Sequence, residues 1–261
     1  MLPLNTTNMK TLSITSIIAF VLVFLSCSKS DVNVSPTSAD GSGQGGSMAR
    51  FAIVNNTLYC VVPNQLQVYD ISLPTDPVIK TPITLSMGLE TIFPYKNNLF
   101  IGATDGMYIF DNSKPNNPTL LSRFTHVQSC DPVVVQDNYA YITLRAGTNC
   151  RQFPTQSTLD VVDISNLNNP RVVSSQTLQS PYGLGIDGTQ LFVCEGDNGL
   201  KIFDVSKPTQ PVLKQTMTNI KSFDVIPLNK ILLVTGIGGL FQYDYSNTSK
   251  LDLLSKISIE N

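Results

Sequence analysis

One nine-residue phrase recurs along the chain: YDISLPTDP at 69–77, FDNSKPNNP at 110–118, VDISNLNNP at 162–170, FDVSKPTQP at 203–211 and a worn YDYSNTSKL at 243–251. Its aspartates, Asp70, Asp111, Asp163, Asp204 and Asp244, are spaced by 41, 52, 41 and 40 residues. A near-constant period of this size with strand-like content is the mark of a β-propeller. Each aspartate ends a short apolar-rich segment: QLQVYD, GMYIFD, TLDVVD, GLKIFD and LFQYD. Alternation of this kind reads as strand. In the second unit the segments ETIFPY, NLFIGAT, MYIFD and PTLLSRF are separated by turn signals at Asn97-Asn98, Asp105-Gly106 and the Asp-Asn-Ser-Lys-Pro stretch. No stretch after residue 48 has a helical period. The expectation is an all-β, five-bladed β-propeller of four-stranded antiparallel blades, about 41 residues per blade, over 49–261. Closing the ring removes most free sheet edge. The last unit has its own outer strand, LDLLSKISI, so closure needs no strand exchange.

The recurring aspartates are expected to be structural. A carboxylate followed two residues later by Ser can accept backbone N–H groups where the chain reverses. A proline seven residues on, present in four copies and replaced by Leu251 in the fifth, fixes the approach to the outer strand. A catalytic role would require the same active site at every copy, which is implausible.

The first 48 residues belong to a different regime. Lys10 precedes an uncharged apolar run from Thr11 to Ser26, short for a membrane span and suited to a signal peptide. The run ends in FLSC, which resembles a bacterial lipoprotein signal: residues 1–26 are removed and Cys27 carries lipid, palmitate among its chains. Met9-Lys10 would be a more typical start than Met1. Residues 27–48, rich in Ser, Gly, Asp and Pro, read as a flexible tether. The expected location is the cell envelope, lipid-anchored at the outer membrane. Net charge is −2 and charged residues make up 14%, so no basic stripe points to nucleic acid.

The strand segments LQVYD, MYIFD, LDVVD and LKIFD resemble the LVIVD repeat, over roughly residues 49–250. Together with the lipoprotein signal, the chain resembles LVIVD-repeat lipoproteins of Bacteroidota envelopes. The resemblance implies an exported, propeller-like protein without implying an activity.

Candidate chemistry gathers at one rim, the top, where the first strand of each blade begins. Counting 20 residues on from successive aspartates gives Glu90, Asp131, Gly183 and Asp224, with Arg50 matching in blade 1. Three carboxylates and a guanidinium in one funnel form a candidate channel site, because like charges there favour a bound cation, a shared proton or an Arg partner. Blade 3 carries an insertion, 144–158, on the same rim. Cys130 and Cys150 are expected to form a disulfide there, closing a loop of roughly 20 residues. His126, Arg145, Arg151, Phe153 and Tyr182 are candidate rim contacts. Thiol catalysis by the cysteines with His126, the one histidine, is the weaker alternative. Cys60 and Cys194 fall in non-adjacent blades and are expected to be free, buried thiols. One histidine and scattered cysteines give no ordinary zinc site, no cofactor motif appears, and calcium on the channel acids is the one cofactor alternative. No complete catalytic constellation is present. The expected function is a tethered monomer that binds an envelope protein or an extracellular ligand through its top rim. The rivals are a glycan-directed hydrolase using channel carboxylates and a propeller stiffened by a cation.

Overall fold

The computed structural model describes residues 45–86, 88–125, 132–147, 156–247 and 250–259, and every element in them is a β-strand. The strands form five antiparallel sheets, each a blade built in chain order from inner to outer strand. Blade 1 holds β1 (Phe51–Val54), β2 (Thr57–Val62) and β3 (Gln65–Asp70), with its outer edge divided between β4 (Val78–Ile79) and β5 (Ile83–Thr84). Blade 2 holds β6 (Leu89–Tyr95), β7 (Asn98–Ala103), β8 (Gly106–Asp111) and β9 (Thr119–Thr125). Blade 3 holds β10 (Val133–Gln136), β11 (Tyr139–Leu144), β12 (Ser157–Asp163) and β13 (Arg171–Leu178). Blade 4 holds β14 (Leu184–Asp187), β15 (Gln190–Cys194), β16 (Leu200–Asp204) and β17 (Val212–Met217). Blade 5 holds β18 (Ser222–Leu228), β19 (Ile231–Gly236), β20 (Gly239–Asp244) and its own outer strand β21 (Asp252–Ser258). This is the expected five-bladed propeller.

The aspartate phrase builds the same turn in every blade. Ser72, Ser113, Ser165, Ser206 and Ser246 each donate a backbone N–H to the carboxylate two residues earlier, at 2.7–3.1 Å. These bonds favour the ionised form. The Ser72 hydroxyl first, then its N–H and Lys80, hold Asp70 down at about 2. Serine bonds likewise lower Asp163, Asp204 and Asp244. In blades 2 to 5 the pairing of third and outer strands slips by one residue just before the aspartate, at Ile109/Phe110, Val161/Val162, Ile202/Phe203 and Gln242/Tyr243. Such bulges sharpen the twist of the outer strand.

Burial decides how the blades stack. Tyr59, Leu66 and Val68 of blade 1 pack on Leu99, Ile101 and Phe110 of blade 2. Phe100, Met107 and Ile109 then meet Ala140, Ile142 and Val162, and Tyr141, Leu159 and Val161 meet Leu191, Val193 and Phe203. Phe192, Leu200 and Ile202 finally meet Leu232, Val234 and Tyr243. The same strand positions supply each junction. Polar bridges accompany them: Tyr59 Oη donates to Asn112 Oδ1 at 2.7 Å, and Gln136 exchanges two bonds with the Gly188 backbone. Tyr245 Oη donates to Asp187 Oδ2 at 2.9 Å.

The junction between blades 5 and 1 differs. The second strands β7, β11 and β15 of blades 2 to 4 are buried on both faces, whereas β2 of blade 1 alternates between buried and half-exposed. Strand β19 alternates in the same way. Among the described residues no buried apolar cluster joins blade 5 to blade 1, and Phe51 stays 61% exposed. The seam is therefore not packed like the other junctions, unlike the evenly closed ring expected. Cys194 is free and buried, but Cys60 is free and only half-buried because it lies on this seam face.

The asymmetry predicts unequal costs at matching positions. Ile101→Ala, between blades 1 and 2, should cost about 2–5 kcal/mol. Cys60→Ala, the equivalent position on the seam, should cost under about 1 kcal/mol. Urea unfolding of the two variants checks this; equal losses would mean that the seam is packed in solution.

Candidate functional site

Two cavities lie along the axis of the propeller. The upper one, about 300 Å³, is lined by Met48, Arg50, Glu90, Thr91, Pro132, Arg145, Pro181 and Tyr182. It sits where the inner strands begin. Arg50 is placed by the start of β1, and its Nη2 donates to the Leu89 carbonyl at 3.0 Å. Glu90 belongs to β6, and Arg145 directly follows β11. Tyr182 stands in the link to β14. Its carbonyl accepts the Thr143 hydroxyl at 2.8 Å and its N–H donates to the Cys194 carbonyl at 2.8 Å. The Arg145 guanidinium lies 4.0 Å from the Tyr182 ring centroid, and Phe223 meets that ring edge-on at 5.2 Å. A cation over an aromatic face is an attractive, orienting contact. Among the described residues the cavity thus presents two guanidiniums, one carboxylate, a fixed aromatic ring and proline walls.

Sequence reasoning missed a support for that ring. Glu195 is fully buried, with Lys201 Nζ 2.5 Å from its Oε2 and the Gln179 N–H donating to its Oε1 at 2.8 Å. Removing either charged partner would strand a buried charge, the costly case for an ion pair. The pair pins the chain just before Pro181 and Tyr182. The EGDNG segment reads as a plain hairpin turn, and only a glutamate directly after the apolar run QLFVC hints otherwise.

Asp224 does not line the upper cavity; it lies beneath the lead-in to blade 1. Gly46 and Ser47 are buried, and Gly46–Ala49 forms a turn closed by the Ala49 N–H on the Gly46 carbonyl at 3.0 Å. Asp224 accepts the Ser47 hydroxyl at 3.4 Å and the Val225 N–H at 2.9 Å, and the Met48 N–H also bonds it. Ser47 Oγ in turn accepts the Leu184 N–H at 2.7 Å. A Cβ on Gly46 or on Gly183 would sit 2.1 Å from an Asp224 carboxylate oxygen, so both positions need glycine for close approach. Residues assigned to the tether from sequence, at least from Gly46, are thus built into the propeller.

Of the expected channel ring, Arg50 and Glu90 share the upper cavity, joined by Arg145 and Tyr182 from the rim set. Gly183 abuts Asp224 instead of adding a charge. Cys27, His126, Cys130, Asp131, Cys150, Arg151 and Phe153 lie outside the described residues. Among the described residues no three His, Cys, Asp or Glu side chains gather in a group able to hold a metal ion.

Burial pushes Asp224 up to about 6, against the opposing bonds from Val225, Ser47 and Met48. A raised carboxyl favours the folded state when protonated, so this contribution is full below the unfolded value near 3.8 and is lost as pH rises through about 6. The protein should therefore gain stability between pH 7.5 and 4.5, by at most about 2 kcal/mol. Asp224→Asn should flatten that rise. Below pH 4 Asp70, Asp163, Asp204 and Asp244 act the other way, since their lowered carboxyls stabilise only when ionised. Chemical denaturation across this pH range checks the prediction; an unchanged slope in the variant would assign the effect elsewhere.

Comparisons with known proteins fit this architecture. The family model described as LVIVD repeat matches residues 45–84, 155–177 and 183–219, beginning with the buried lead-in. No curated protein matches the chain. Among solved structures, apo AztD from Citrobacter koseri superposes with a TM-score of 0.58 at 13% identity, over 78% of this chain and 60% of that one. The computationally designed Ika8 protein gives 0.56 at 15% identity, over 77% of this chain and 59% of that one. A chain of a nidogen/laminin complex gives 0.52 at 15% identity, over 77% and 76%. The chain spans about three fifths of the length of the first two. At such identities the likeness is one of fold. This chain is a five-bladed β-propeller that carries LVIVD repeats.

Proposed function

We propose that the protein is a lipid-anchored binding module of the bacterial cell envelope, tethered through Cys27, that engages its ligand or partner protein at the upper cavity. The observation that carries this reading is the convergence of Arg50, Arg145 and the braced Tyr182 ring on one open pocket. Among the described residues two guanidiniums face one carboxylate, which suits an anionic group such as a carboxylate that arginine holds through paired hydrogen bonds. The tyrosine and proline walls suit a flat or apolar body beside that charge.

Hydrolysis of a glycan fits the cavity less well. It needs two carboxyl groups facing one bond. Among the described lining residues Glu90 is the one carboxylate, and Asp224 is covered by the lead-in turn. A cation-stiffened ring has no cluster of ligands among the described residues.

The test is a thermal melt of the purified protein against acidic and neutral glycans, acidic peptides, calcium and a chelator. An acidic ligand should raise the melting point by several degrees and fail to do so in Arg145→Ala. A ligand that shifts wild type and variant equally would place binding elsewhere. Glycan cleavage that disappears in Glu90→Gln would reverse the choice in favour of the hydrolase.

A further inference from the structure

Glu90 stands in the upper cavity for a reason that strand alternation does not supply. Successive residues of a strand point to opposite faces, so Glu90 and Thr91 belong on opposite sides of β6. Both line the cavity. The pairing of β6 with β7 runs from Leu89 opposite Ala103 to Thr91 opposite Gly102, so Glu90 is the extra residue of a β-bulge. A bulge re-aims the side chains beside it. The inner strands β1, β10 and β14 pair with their neighbours without a shift. The other inner-strand bulge lies in β18, where Ser222 opposes Gly236 and Asp224 opposes Thr235. Its extra residue is Phe223, whose ring meets the Tyr182 ring at 5.2 Å. Two irregularities in otherwise repeated blades thus serve one spot. One braces the aromatic ring, and the other delivers a carboxylate.

A site for a simple anion has no use for that carboxylate. Arg50 bonds the carbonyl of Leu89, the residue before Glu90, so opposite charges are held side by side in one cavity. An anion on Arg50 lies near Glu90 and is repelled by it. A ligand that carries an ammonium beside its carboxylate answers both charges. We infer that the upper cavity takes a free α-amino acid, with its carboxylate on Arg50 and Arg145 and its ammonium on Glu90. The inference rests on the reading of this cavity as an anion-binding site and narrows its ligand. The bond to Leu89 uses one of the five N–H donors of the Arg50 guanidinium. An ammonium brings three donors, and the bulge sets the Thr91 hydroxyl beside Glu90 as a further acceptor. Met48, Pro132, Pro181 and the Tyr182 ring are left to receive an apolar side chain. The volume, about 300 Å³, is the share of roughly ten waters at about 30 Å³ each, which suits one amino acid and not an oligomer. The lower axial cavity, lined by Phe51, Ile92, Tyr95, Gln136 and Ile186 among others, has no charged side chain among the described residues. Both signs of charge are gathered at the top.

The experiment is isothermal titration calorimetry on the full chain purified in detergent, at neutral pH. Phenylalanine and leucine are compared with hydrocinnamate and isocaproate, which lack only the ammonium, and with phenylalaninamide, which lacks the carboxylate. Each amino acid should bind about tenfold more tightly than its matched acid, the worth of one hydrogen bond to a charged group. Glu90→Gln should erase that difference and leave the acids bound. An acid that binds the wild type as tightly as its amino acid, or a preference that survives Glu90→Gln, would overturn the inference and leave the anion site standing. An amide that binds as tightly as phenylalanine, or no binding by any of the carboxylate-bearing compounds, would bring down the reading of the site together with the inference. The comparison of ligands on the wild type decides the matter without the variant, should Glu90→Gln fail to fold.

Discussion

Everything in this protein depends on one contact made four times: the leading face of a blade against the trailing face of the next. The leading face supplies an aromatic from the second strand and a β-branched residue from the third, as Tyr59 with Val68, Phe100 with Ile109, Tyr141 with Val161 and Phe192 with Ile202. The trailing face answers with aliphatics at fixed positions, such as Ile101, Ile142, Val193 and Val234. Each fully buried side chain of this size contributes on the order of 1.5–3 kcal/mol of transfer free energy. A single blade offers only half of such a contact, so blades gain stability from their neighbours, as in other repeat arrays. Blade 5 breaks the rule: Leu233 stands where the others have an aromatic, and Gln242 where they have valine or isoleucine. Its leading face is accordingly half-exposed, as is the trailing face of blade 1.

Rigid stacking is what allows the top of the channel to hold a geometry. Glu90 and Tyr182 stand at or just before the starts of inner strands of blades 2 and 4, which have buried junctions on both sides, while Arg50 precedes the inner strand of blade 1, which is packed against blade 2 alone. Tyr182 is braced three ways, by Arg145 over its face, Phe223 at its edge and backbone bonds at both of its peptide groups. The chain before it is held by the buried Glu195–Lys201 pair. A surface loop would leave such a ring free to rotate; here its orientation follows from packing.

The fold was legible because its unit repeats. Period, turn phrase and strand alternation are local properties, and five copies average away the ambiguity of any one. The uneven seam was less legible: TLYCVV in blade 1 is as apolar as NLFIGA and YAYITL, and only Leu233 and Gln242 in blade 5 depart from the residues of the other blades. The site was legible only in part. A fixed count from each aspartate places Arg50 and Glu90 together because the blades are near-identical rulers. It cannot foresee that Gly46 and Ser47 fold into the channel and cover Asp224, since the tether's composition has no period to read. Nor does spacing expose Glu195, whose burial depends on Lys201 across the hairpin.

Asp224 is the point at which the protein departs from its own economy. The repeat aspartates, by contrast, are solvent-accessible and bonded by serine, and their charge costs little. Asp224 is largely desolvated, and its carboxyl is raised in spite of three bonds that favour ionisation. An asparagine could accept several of the same bonds without that cost. What the carboxylate adds is the ability to gather donors from Ser47, Met48 and Val225 at once, fastening the lead-in across the inner strands of blades 4 and 5. The fastening is what lets Ala49 bond Ile92 and Arg50 bond Leu89, so that blade 1 begins in register with blade 2 and Arg50 reaches the cavity. Locally unfavourable groups that persist where a geometry must be fixed are a usual sign of a functional region. Here the cost is incurred one layer below the cavity, in the residues that decide where its first arginine stands.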